Sequence, residues 1–227
     1  MAWLEPYTKA IMDSNAKLGQ RMTEKIISHY HQHADFYRMQ YDLLDAYDVH
    51  AAWRSLLLKM KLGCALDVGA GSGRDALWLS KQGWQVTAIE PAEGLRQFGQ
   101  RKTGLSVEWI DDQLPTLACL DNLCRQFDLI LLSAVWMHLA PNQRSLAFSR
   151  LKKWLSASGM LIMTIRFGLV DQNRPMFPIS VSELQQLALD QGVSVKDLSE
   201  GFTQDRLNRN EINWKTYCFQ HAEEADR

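Results

Sequence analysis

One short glycine-rich stretch constrains the fold of this chain more than any other part of the sequence. An apolar run, Cys64–Val68, leads directly into three glycines at alternate positions, which are Gly69, Gly71 and Gly73. A helix-forming segment, Arg74–Gln82, follows at once. Glycine adopts backbone angles that other residues avoid and lets a ligand approach the main chain, while the first amides of the following helix face that ligand. We therefore predict a strand, a tight loop and a helix that bind a nucleotide-like molecule.

The spacing of the glycines and the acid before them distinguish between nucleotide ligands. The dinucleotide fingerprint is G-x-G-x-x-G, with the pyrophosphate on the helix N-terminus. Here the spacing is G-x-G-x-G, and Asp67 lies two residues before the first glycine. A carboxylate at this place would repel a pyrophosphate, but it can accept hydrogen bonds from loop amides or from an ammonium group. The pattern favours a nucleoside with a cationic or zwitterionic tail, and S-adenosylmethionine (SAM) is such a ligand.

Composition limits the classes of partner. The 227 residues suffice for one large α/β domain, and a net charge of −1 gives no global basic field, so a nucleic-acid partner is not expected. No apolar run approaches the roughly 20 residues of a membrane span, and the N-terminus lacks the order of a secretory signal. The four cysteines show neither C-x-x-C nor zinc spacing, so we expect buried thiols, no metal and a cytoplasmic protein.

The N-terminal segment, residues 1–55, is predicted to be helical. Apolar and aromatic residues recur at three- and four-residue steps from Met22 to Leu58, with a break expected at Gly19 and a helix over Val49–Lys61. Two interpretations remain open. In the first, an amphipathic helix pair covers one end of the sheet. In the second, the segment is a lid whose Tyr30 and Tyr37 close over cofactor and substrate. The histidines at 29, 31 and 33 spread around a helix, so no metal site is predicted there.

Residues 56–220 are predicted to form the ligand-binding domain, followed by a polar tail at 221–227. Apolar runs alternate with helical segments, which is typical of a doubly wound α/β fold with a parallel sheet and helices on both faces. Asn142 and Ser180 are the expected N-caps of two of its helices. The expected strands are Cys64–Val68, Trp84–Ile89, Leu105–Ile110, Phe127–Leu132, Gly159–Ile165, Val193–Leu198 and Asn213–Gln220.

Acidic residues follow the second and third of these strands. Glu90 comes 17 residues after Gly73, where a doubly wound sheet places an acid for ribose hydroxyls, and Pro91 then breaks the chain. The pair Asp111–Asp112 ends the third strand, and one of the two is expected to accept a hydrogen bond from the adenine amino group. The sequence leaves open which one does so.

The segment Ser133–Pro141 follows the fourth strand, at the edge where open α/β sheets bind ligands. Trp136 and His138 are therefore candidates for the ligand pocket. His138 is the nearby side chain with a pKa suited to a general base, which a hydroxyl nucleophile would need. A structural role for His138, hydrogen-bonded to backbone, remains the alternative.

Four arginines fall on loops after the fifth strand or before the seventh, namely Arg166, Arg174, Arg206 and Arg209. Guanidinium groups bind carboxylates and phosphates through paired donors. We therefore expect a small anionic substrate held by one or two of them. The alternative is that they are surface charges paired with Asp171, Asp205 or Glu211.

Several motifs resemble those of the class I SAM-dependent methyltransferases over about residues 26–220. LDVGAGSGRDA is similar to their first motif, VTAIEPAEGL to the ribose-binding second and FDLILLSAVWMHLAP to the fourth. Within this class the chain is most similar to small bacterial tellurite-resistance-like and methyltransferase-domain proteins. The resemblance implies a seven-stranded, mostly parallel sheet with the last strand antiparallel. It also implies a set of cofactor-binding residues: Asp67, Gly69, Ala70, Gly71, Gly73, Arg74, Glu90, Pro91, Asp111, Asp112, Ser133, Tyr30 and Tyr37.

The resemblance ends at the substrate side. The chain has neither the D/N-P-P-Y motif of adenine or glutamine methylation nor a cysteine pair like that of arsenite methylators. The favoured interpretation is methyl transfer from SAM to a small molecule. The alternatives are an RNA or protein methyltransferase, a non-catalytic SAM-binding protein and an NAD(P)-dependent enzyme.

Overall fold

The computed structural model of the protein describes residues 5–168, 174–207, 209 and 211–222. Within these ranges eight strands form one sheet, in the order β3-β2-β1-β4-β5-β8-β6, with the short β7 paired to β8. The strands are β1 Cys64–Val68, β2 Gln85–Ile89, β3 Val107–Ile110, β4 Phe127–Ser133, β5 Leu155–Gly168, β6 Val193–Asp197, β7 Thr203–Gln204 and β8 Ile212–His221.

The pairing confirms the predicted seven-stranded sheet. Strands β1 to β5 run parallel, and β8 lies antiparallel between β5 and β6. The two-residue strand β7 was not predicted. Strand order reverses between β1 and β4, so the crevice outside their carboxyl ends is the expected place for a ligand.

Eight α-helices lie within the described ranges, together with 3-10 turns at Gly104–Ser106, Ala118–Asn122 and Trp136–His138. The helices are α1 Glu5–Gln32, α2 Ala34–Asp42, α3 Ala46–Val49, α4 Arg54–Leu57, α5 Arg74–Lys81, α6 Glu93–Thr103, α7 Pro141–Trp154 and α8 Val181–Asp190. None of the helices described is long and apolar enough to cross a membrane.

Apolar side chains form a core on each face of the sheet, as predicted. On one face, residues of α7 and α8 such as Phe148 and Leu184 pack against β4 and β5. On the other face, α5 contributes Leu79, and the fully buried Trp53 joins it. A third cluster joins α2 to α6, through Tyr37 and Leu95 among others.

Two predictions for the N-terminal segment are wrong. Helix α1 runs through Gly19 without a break, because the missing side chain lets α1 lie against Gln143 of α7; a Cβ at Gly19 would be 3.2 Å from that side chain. The helix expected over Val49–Lys61 is reduced to the four residues of α4. Here the chain turns to bury Trp53, whose ring contacts His50.

Three boundaries farther along also differ from prediction. Helix α7 begins at Pro141 with Ala140 as its N-cap, because proline suits the first helical position, so Asn142 is not the cap. Strand β5 extends four residues earlier and three later than expected, because β8 pairs with it as far as Gly168. His221 pairs with Val193 and so belongs to β8 rather than to a tail.

Other boundaries agree with prediction, and some fall outside the described ranges. Ser180 caps α8 as predicted and accepts a hydrogen bond from the Glu183 amide at 3.1 Å. Residues 1–4 of the predicted N-terminal segment and 223–227 of the predicted tail lie outside the described residues.

Candidate functional site

A cavity of about 270 Å³ lies at the carboxyl ends of the parallel strands, where the strand order reverses. A single water needs only about 10–15 Å³ of such space, so the cavity has room for an organic ligand. We call the part beside β1, β2 and β3 the glycine end, defined by Gly69, Gly71, Glu90 and Asp112. We call the part beside β5 and β8 the arginine end, defined by Thr164, Arg174, Arg206, Arg209 and Thr216.

The glycine loop forms the floor of the glycine end. Gly69, Gly71 and Gly73 have φ angles of 70°, 56° and 81°, in the left-handed region that favours glycine. The amides of Gly69 and Ala70 both donate to the Ile89 carbonyl, at 2.8 and 2.9 Å, which holds the loop against β2. Gly69, Ala70 and Gly71 line the cavity.

Gly73 has a different role from the other two glycines. A Cβ at Gly73 would lie 3.0 Å from Gly99 and from the Trp109 ring, so this glycine lets α5 start close to α6 and β3. Gly73 is not among the residues that line the cavity.

Glu90 is a buried acid that lines the glycine end. Its two carboxylate oxygens accept hydrogen bonds from the amides of Gly71 and Ala92, both at 2.8 Å. The side chain is buried, and burial raises the pKa of Glu90 to about 7. Pro91 lines the cavity beside it. The structure thus places Glu90 against the loop, with carboxylate lone pairs left for a ligand.

Asp67 lies beneath the glycine loop rather than on the cavity wall. It is 1% exposed and accepts from the Ala76 amide in the first turn of α5. Burial raises the pKa of Asp67 well above its usual range. In the part of the chain that the structure describes, the Oδ2 atom of Asp67 has no hydrogen-bond partner. Its geometry therefore supports the loop and the start of α5 from below.

Arg74 and Asp75 form a buried ion pair on the cavity wall. Nε and Nη2 of Arg74 donate to the two Asp75 oxygens at 2.7 and 2.8 Å, and Arg74 also reaches Ser133 at 3.5 Å. Nε2 of His50 lies 3.0 Å from Oδ1 of Asp75. Burial acts to raise the pKa of Asp75, but Arg74 and His50 outweigh it and lower the pKa below its usual range. Sequence reasoning missed Asp75 and His50, since nothing in the pattern links α3 to α5.

The structure separates the two acids after β3. Asp112 lines the cavity, and its oxygens accept from the amides of Gln113 and Cys119, both at 2.7 Å. The Asp111 side chain is 66% exposed and pairs with Arg96 at 2.8 Å. Of the two candidates, only Asp112 is placed to face a ligand.

Three tyrosines of the N-terminal helices cover the cavity. Tyr30 comes from α1, and Tyr37 and Tyr41 come from α2. The ring centroids of Tyr30 and Tyr37 are 4.7 Å apart, and those of Tyr37 and Tyr41 are 5.9 Å apart. Tyr41 was not predicted as a site residue, although it follows Tyr37 by one helical turn. Asp42 ties α2 to the glycine loop through a hydrogen bond from Ser72 and to α6 through one from Lys102.

His138 lies between the lid and the arginine end. Its Nδ1 is 3.0 Å from the Pro175 carbonyl oxygen, and its Nε2 is 2.9 Å from the Tyr30 hydroxyl. Arg174 also donates to this hydroxyl. Burial, together with the charge of Arg174, lowers the pKa of His138 to about 4. The imidazole is therefore neutral near pH 7, and both its nitrogens are hydrogen-bonded.

The four arginines considered above divide into two groups. Arg174, Arg206 and Arg209 line the arginine end, whereas Arg166 does not. Arg166 instead places Nη1 2.9 Å from the Met176 sulfur, so its predicted contact with substrate is corrected.

Asp205 organises the loop that carries two of these arginines. Nε and Nη2 of Arg209 donate to Asp205 at 2.9 and 2.7 Å, so the alternative that an arginine pairs with Asp205 holds for Arg209. Burial opposes ionisation, but hydrogen bonds from Arg209 and Trp214 lower the pKa of Asp205 to about 2. Nη2 of Arg206 donates to the Asp48 carbonyl at 2.5 Å and so bridges this loop to α3. The Asp171 alternative lies outside the described residues.

Trp136 does not line the cavity. It is completely buried, and its ring packs edge-on against Phe148, with centroids 6.3 Å apart. The prediction of a pocket role is corrected, because the 3-10 turn at Trp136–His138 directs the tryptophan into the core and the histidine towards the cavity. Among the residues that the structure describes, no three His, Cys, Asp or Glu side chains are grouped so as to hold a metal ion.

Comparison with known proteins supports the assignment of the fold. Residues 65–159 match the family model described as "Methyltransferase domain". An uncharacterized methyltransferase of Alkaliphilus oremlandii is 28% identical over 103 residues, which is 45% of each chain. One of Staphylococcus carnosus is 28% identical over 102 residues, which is 44% of this chain and 46% of that protein. The matched region thus spans less than half the length of these relatives.

Solved structures resemble this chain over most of its length. A SAM-dependent methyltransferase of Leishmania major has a TM-score of 0.69 and 20% identity, covering 88% of this chain and 83% of its own. DhpI bound to S-adenosylhomocysteine (SAH) has a TM-score of 0.64 and 16% identity, covering 89% and 98%. A TehB-like SAM-dependent methyltransferase of Corynebacterium glutamicum has a TM-score of 0.59 and 20% identity, covering 84% and 99%. Residues 65–159 thus match a methyltransferase domain, and the fold of the chain resembles that of solved SAM-dependent methyltransferases.

Proposed function

We propose that the protein transfers the methyl group of SAM to a small anionic acceptor by in-line displacement. The arrangement of the cavity carries this proposal. A glycine loop with a buried acid occupies one end and a group of arginines the other, and the two meet where the strand order reverses. Helices α1 and α2 place tyrosines over the cavity, which favours a small acceptor over a polymer.

The chemistry of the glycine end suits SAM. Gly69, Ala70 and Gly71 offer close main-chain approach, and Glu90 has lone pairs for ribose hydroxyls. Asp112 and Arg74 both line the cavity, and we assign Asp112 to the adenine amino group and Arg74 to the methionine carboxylate. Asp67 would act from below, through the loop and the Ala76 amide. Bound SAM supplies a methyl group on a positively charged sulfur, which is already electrophilic.

The charges of the arginine end favour an anionic acceptor. Among the described residues that line this end are three guanidinium groups, from Arg174, Arg206 and Arg209, and one carboxylate, from Asp205. The Asp205 carboxylate is engaged by Arg209, whereas Arg206 donates to a main-chain carbonyl, so Arg206 contributes a positive charge to this end. A carboxylate or phosphate oxygen is a suitable partner for such donors.

The low basicity of His138 favours an acceptor that is already an anion. We predicted His138 as a candidate base, but a base works best when its pKa lies near the working pH. A pKa of about 4 and a hydrogen bond to Tyr30 both make His138 a weak base at neutral pH. An acceptor that arrives already deprotonated needs no base. Alignment of the two reactants in a dry pocket can then supply about 7–11 kcal/mol of the barrier.

The test is SAH formation from SAM in the presence of defined acceptors. Small carboxylates and phosphates are compared with neutral amines, phenols and tRNA. We expect turnover with an anionic compound. Arg206→Gln and Arg209→Gln should raise the KM of that acceptor about tenfold and change SAM affinity less than twofold. Arg166→Gln is the matched control, because Arg166 does not line the cavity. Turnover of tRNA or of neutral compounds alone would contradict the anionic acceptor.

A further inference from the structure

A chain of hydrogen bonds connects the lid to the arginine end of the cavity. It runs from Arg174 to the Tyr30 hydroxyl, from there to His138 and on to the Pro175 carbonyl. Tyr30 lies in the last turn of helix α1, whereas His138 follows β4, and Arg174 and Pro175 follow β5. These hydrogen bonds therefore join helix α1 to the segments after β4 and after β5, which are distant from one another in sequence.

The direction of each hydrogen bond follows from the groups present. A backbone carbonyl can only accept, so Nδ1 of His138 must carry a proton. In the neutral ring Nε2 is then an acceptor, and the Tyr30 hydroxyl must donate to it. Arginine only donates, so the Tyr30 oxygen accepts from Arg174. Burial raises the pKa of Tyr30 well above its usual range, so the hydroxyl keeps its proton.

The surroundings of His138 reinforce this arrangement. Arg174, Arg166 and His29 face the imidazole, and each disfavours a second proton on the ring. The Arg174 guanidinium also lies over the rings of Tyr30 and Tyr37, at 5.7 and 5.5 Å from their centroids. The hydrogen bond from the Tyr30 hydroxyl to His138 thus holds the Tyr30 side chain in place. Tyr30 in turn helps to orient Arg174 at the arginine end.

We propose that His138 is a positioning residue, whose neutral Nε2 holds the Tyr30 hydroxyl and thereby orients Arg174 and the end of α1 over the acceptor. This inference rests on the proposed function, because it takes the arginine end as the acceptor site. His138 then acts through Tyr30 and Arg174 and takes no proton during the reaction.

The first test is nitrogen NMR of the protein labelled in its histidine rings, with His138→Asn used to assign the signal. We expect the His138 ring to carry its proton on Nδ1 and to titrate well below its ordinary range. Tyr30→Phe removes the hydrogen bond that stabilises the neutral ring, so the titration midpoint should move up. Tyr217→Phe is the control, because the Tyr217 hydroxyl has no hydrogen-bond partner among the described residues and Tyr217 does not line the cavity, so the midpoint should stay in place. A proton on Nε2, or an unmoved midpoint in Tyr30→Phe, would overturn the proposal.

The second test distinguishes the hydrogen bond made by Nδ1 of His138 from the one made by Nε2. Asparagine at position 138 can donate to Pro175 as Nδ1 does, whereas glutamine reaches farther and can accept from Tyr30. We expect amides at the end of α1 to exchange hydrogen about tenfold faster in His138→Asn and in Tyr30→Phe, but less than threefold faster in His138→Gln. Amides of α7 serve as the internal control and should not change. Equal effects of asparagine and glutamine would show that Tyr30 is not the partner that matters.

SAM binding by the wild-type protein keeps the two proposals distinguishable. If the NMR and exchange results are as expected but SAM does not bind, the proposed function is wrong. The hydrogen bonds of Tyr30 and His138 then only attach helix α1 to the rest of the protein. If SAM binds and is consumed but His138→Asn has the acceptor KM of the wild type, the positioning role fails alone.

Discussion

At the scale of single residues, the ionisation of Glu90 should make ligand binding in the cavity depend on pH. Its pKa is raised to about 7 because burial penalises the charge. Ribose hydroxyls would donate to the ionised carboxylate and so favour the charged form. Below pH 7 Glu90 must lose its proton before it can bind the ribose, which makes SAM binding less favourable. SAM affinity should therefore fall by up to tenfold for each unit by which the pH is lowered.

The measurement is calorimetric titration at pH 6 in buffers of different ionisation enthalpy. We expect SAM binding to release close to one proton from the wild type and none from Glu90→Gln. His138 does not titrate in this range, because its pKa is about 4. Binding that is independent of pH between 5.5 and 7.5 would contradict this role of Glu90.

Two glycines of the loop form a matched pair. A Cβ at Gly69 would be 2.6 Å from Val135, whereas one at Gly71 would meet only the Tyr41 ring at 3.4 Å. Both residues have positive φ, so alanine costs about 1–2 kcal/mol of backbone strain at either position. We expect Gly69→Ala to lower the free energy of unfolding more than Gly71→Ala in urea titrations. Val135→Ala should recover part of the loss for Gly69→Ala alone. Equal losses without recovery would mean that Val135 is not the obstacle.

The expected positions of site residues agree with the structure where a strand end fixes the direction of a side chain, and the ligand roles of these residues stay predictions. Glu90 and the loop glycines Gly69 and Gly71 follow regular strands, and the structure places them on the cavity wall. The sequence could not distinguish Asp111 from Asp112, since both stand in an irregular turn. It also could not show that Trp136 and His138, two residues apart in a 3-10 turn, face the core and the cavity respectively.

At the scale of elements, the loop between β7 and β8 depends on one buried acid. Asp205 accepts from the amides of Leu207 and Arg209, from the Arg209 side chain and from the Trp214 indole. Its neighbours are all donors, so an amide nitrogen at this position would face them.

Asp205→Asn should therefore lower the free energy of unfolding by about 1–3 kcal/mol. The control is Asp197→Asn. It breaks a partly exposed ion pair between Asp197 of β6 and Lys215 of β8, and it should cost under about 1 kcal/mol. Urea unfolding followed by fluorescence measures both. Equal, small effects would show that Asp205 does not organise the loop.

Element boundaries depended on contacts that sequence periodicity does not contain. The continuation of α1 through Gly19 reflects its packing on α7, and the length of β5 reflects its pairing with β8. The helix expected at Val49–Lys61 gave way to the burial of Trp53. In each case a partner distant in sequence outweighed the local preference.

At the scale of the whole molecule, the strand order decides where chemistry can occur. Reversal between β1 and β4 brings the loop at Gly69, the acid at Glu90 and the turn at His138 to one edge of the sheet. The sequence predicted this sheet because its buried strands are continuous apolar runs. It left open whether the N-terminal helices form a covering helix pair or a lid. In the structure these helices contact the site at two places, Asp42 with the glycine loop and Tyr30 with His138.

The most direct test of the central claim is calorimetric titration of the purified protein with SAM, SAH and NADH. We expect micromolar binding of SAM and SAH and no binding of NADH. Glu90→Ala should weaken both adenosyl ligands by removing the ribose partner, and Asp67→Ala should weaken them by loosening the loop and the start of α5. Binding of NADH without SAM or SAH would contradict the assignment of the glycine loop and the function proposed from it.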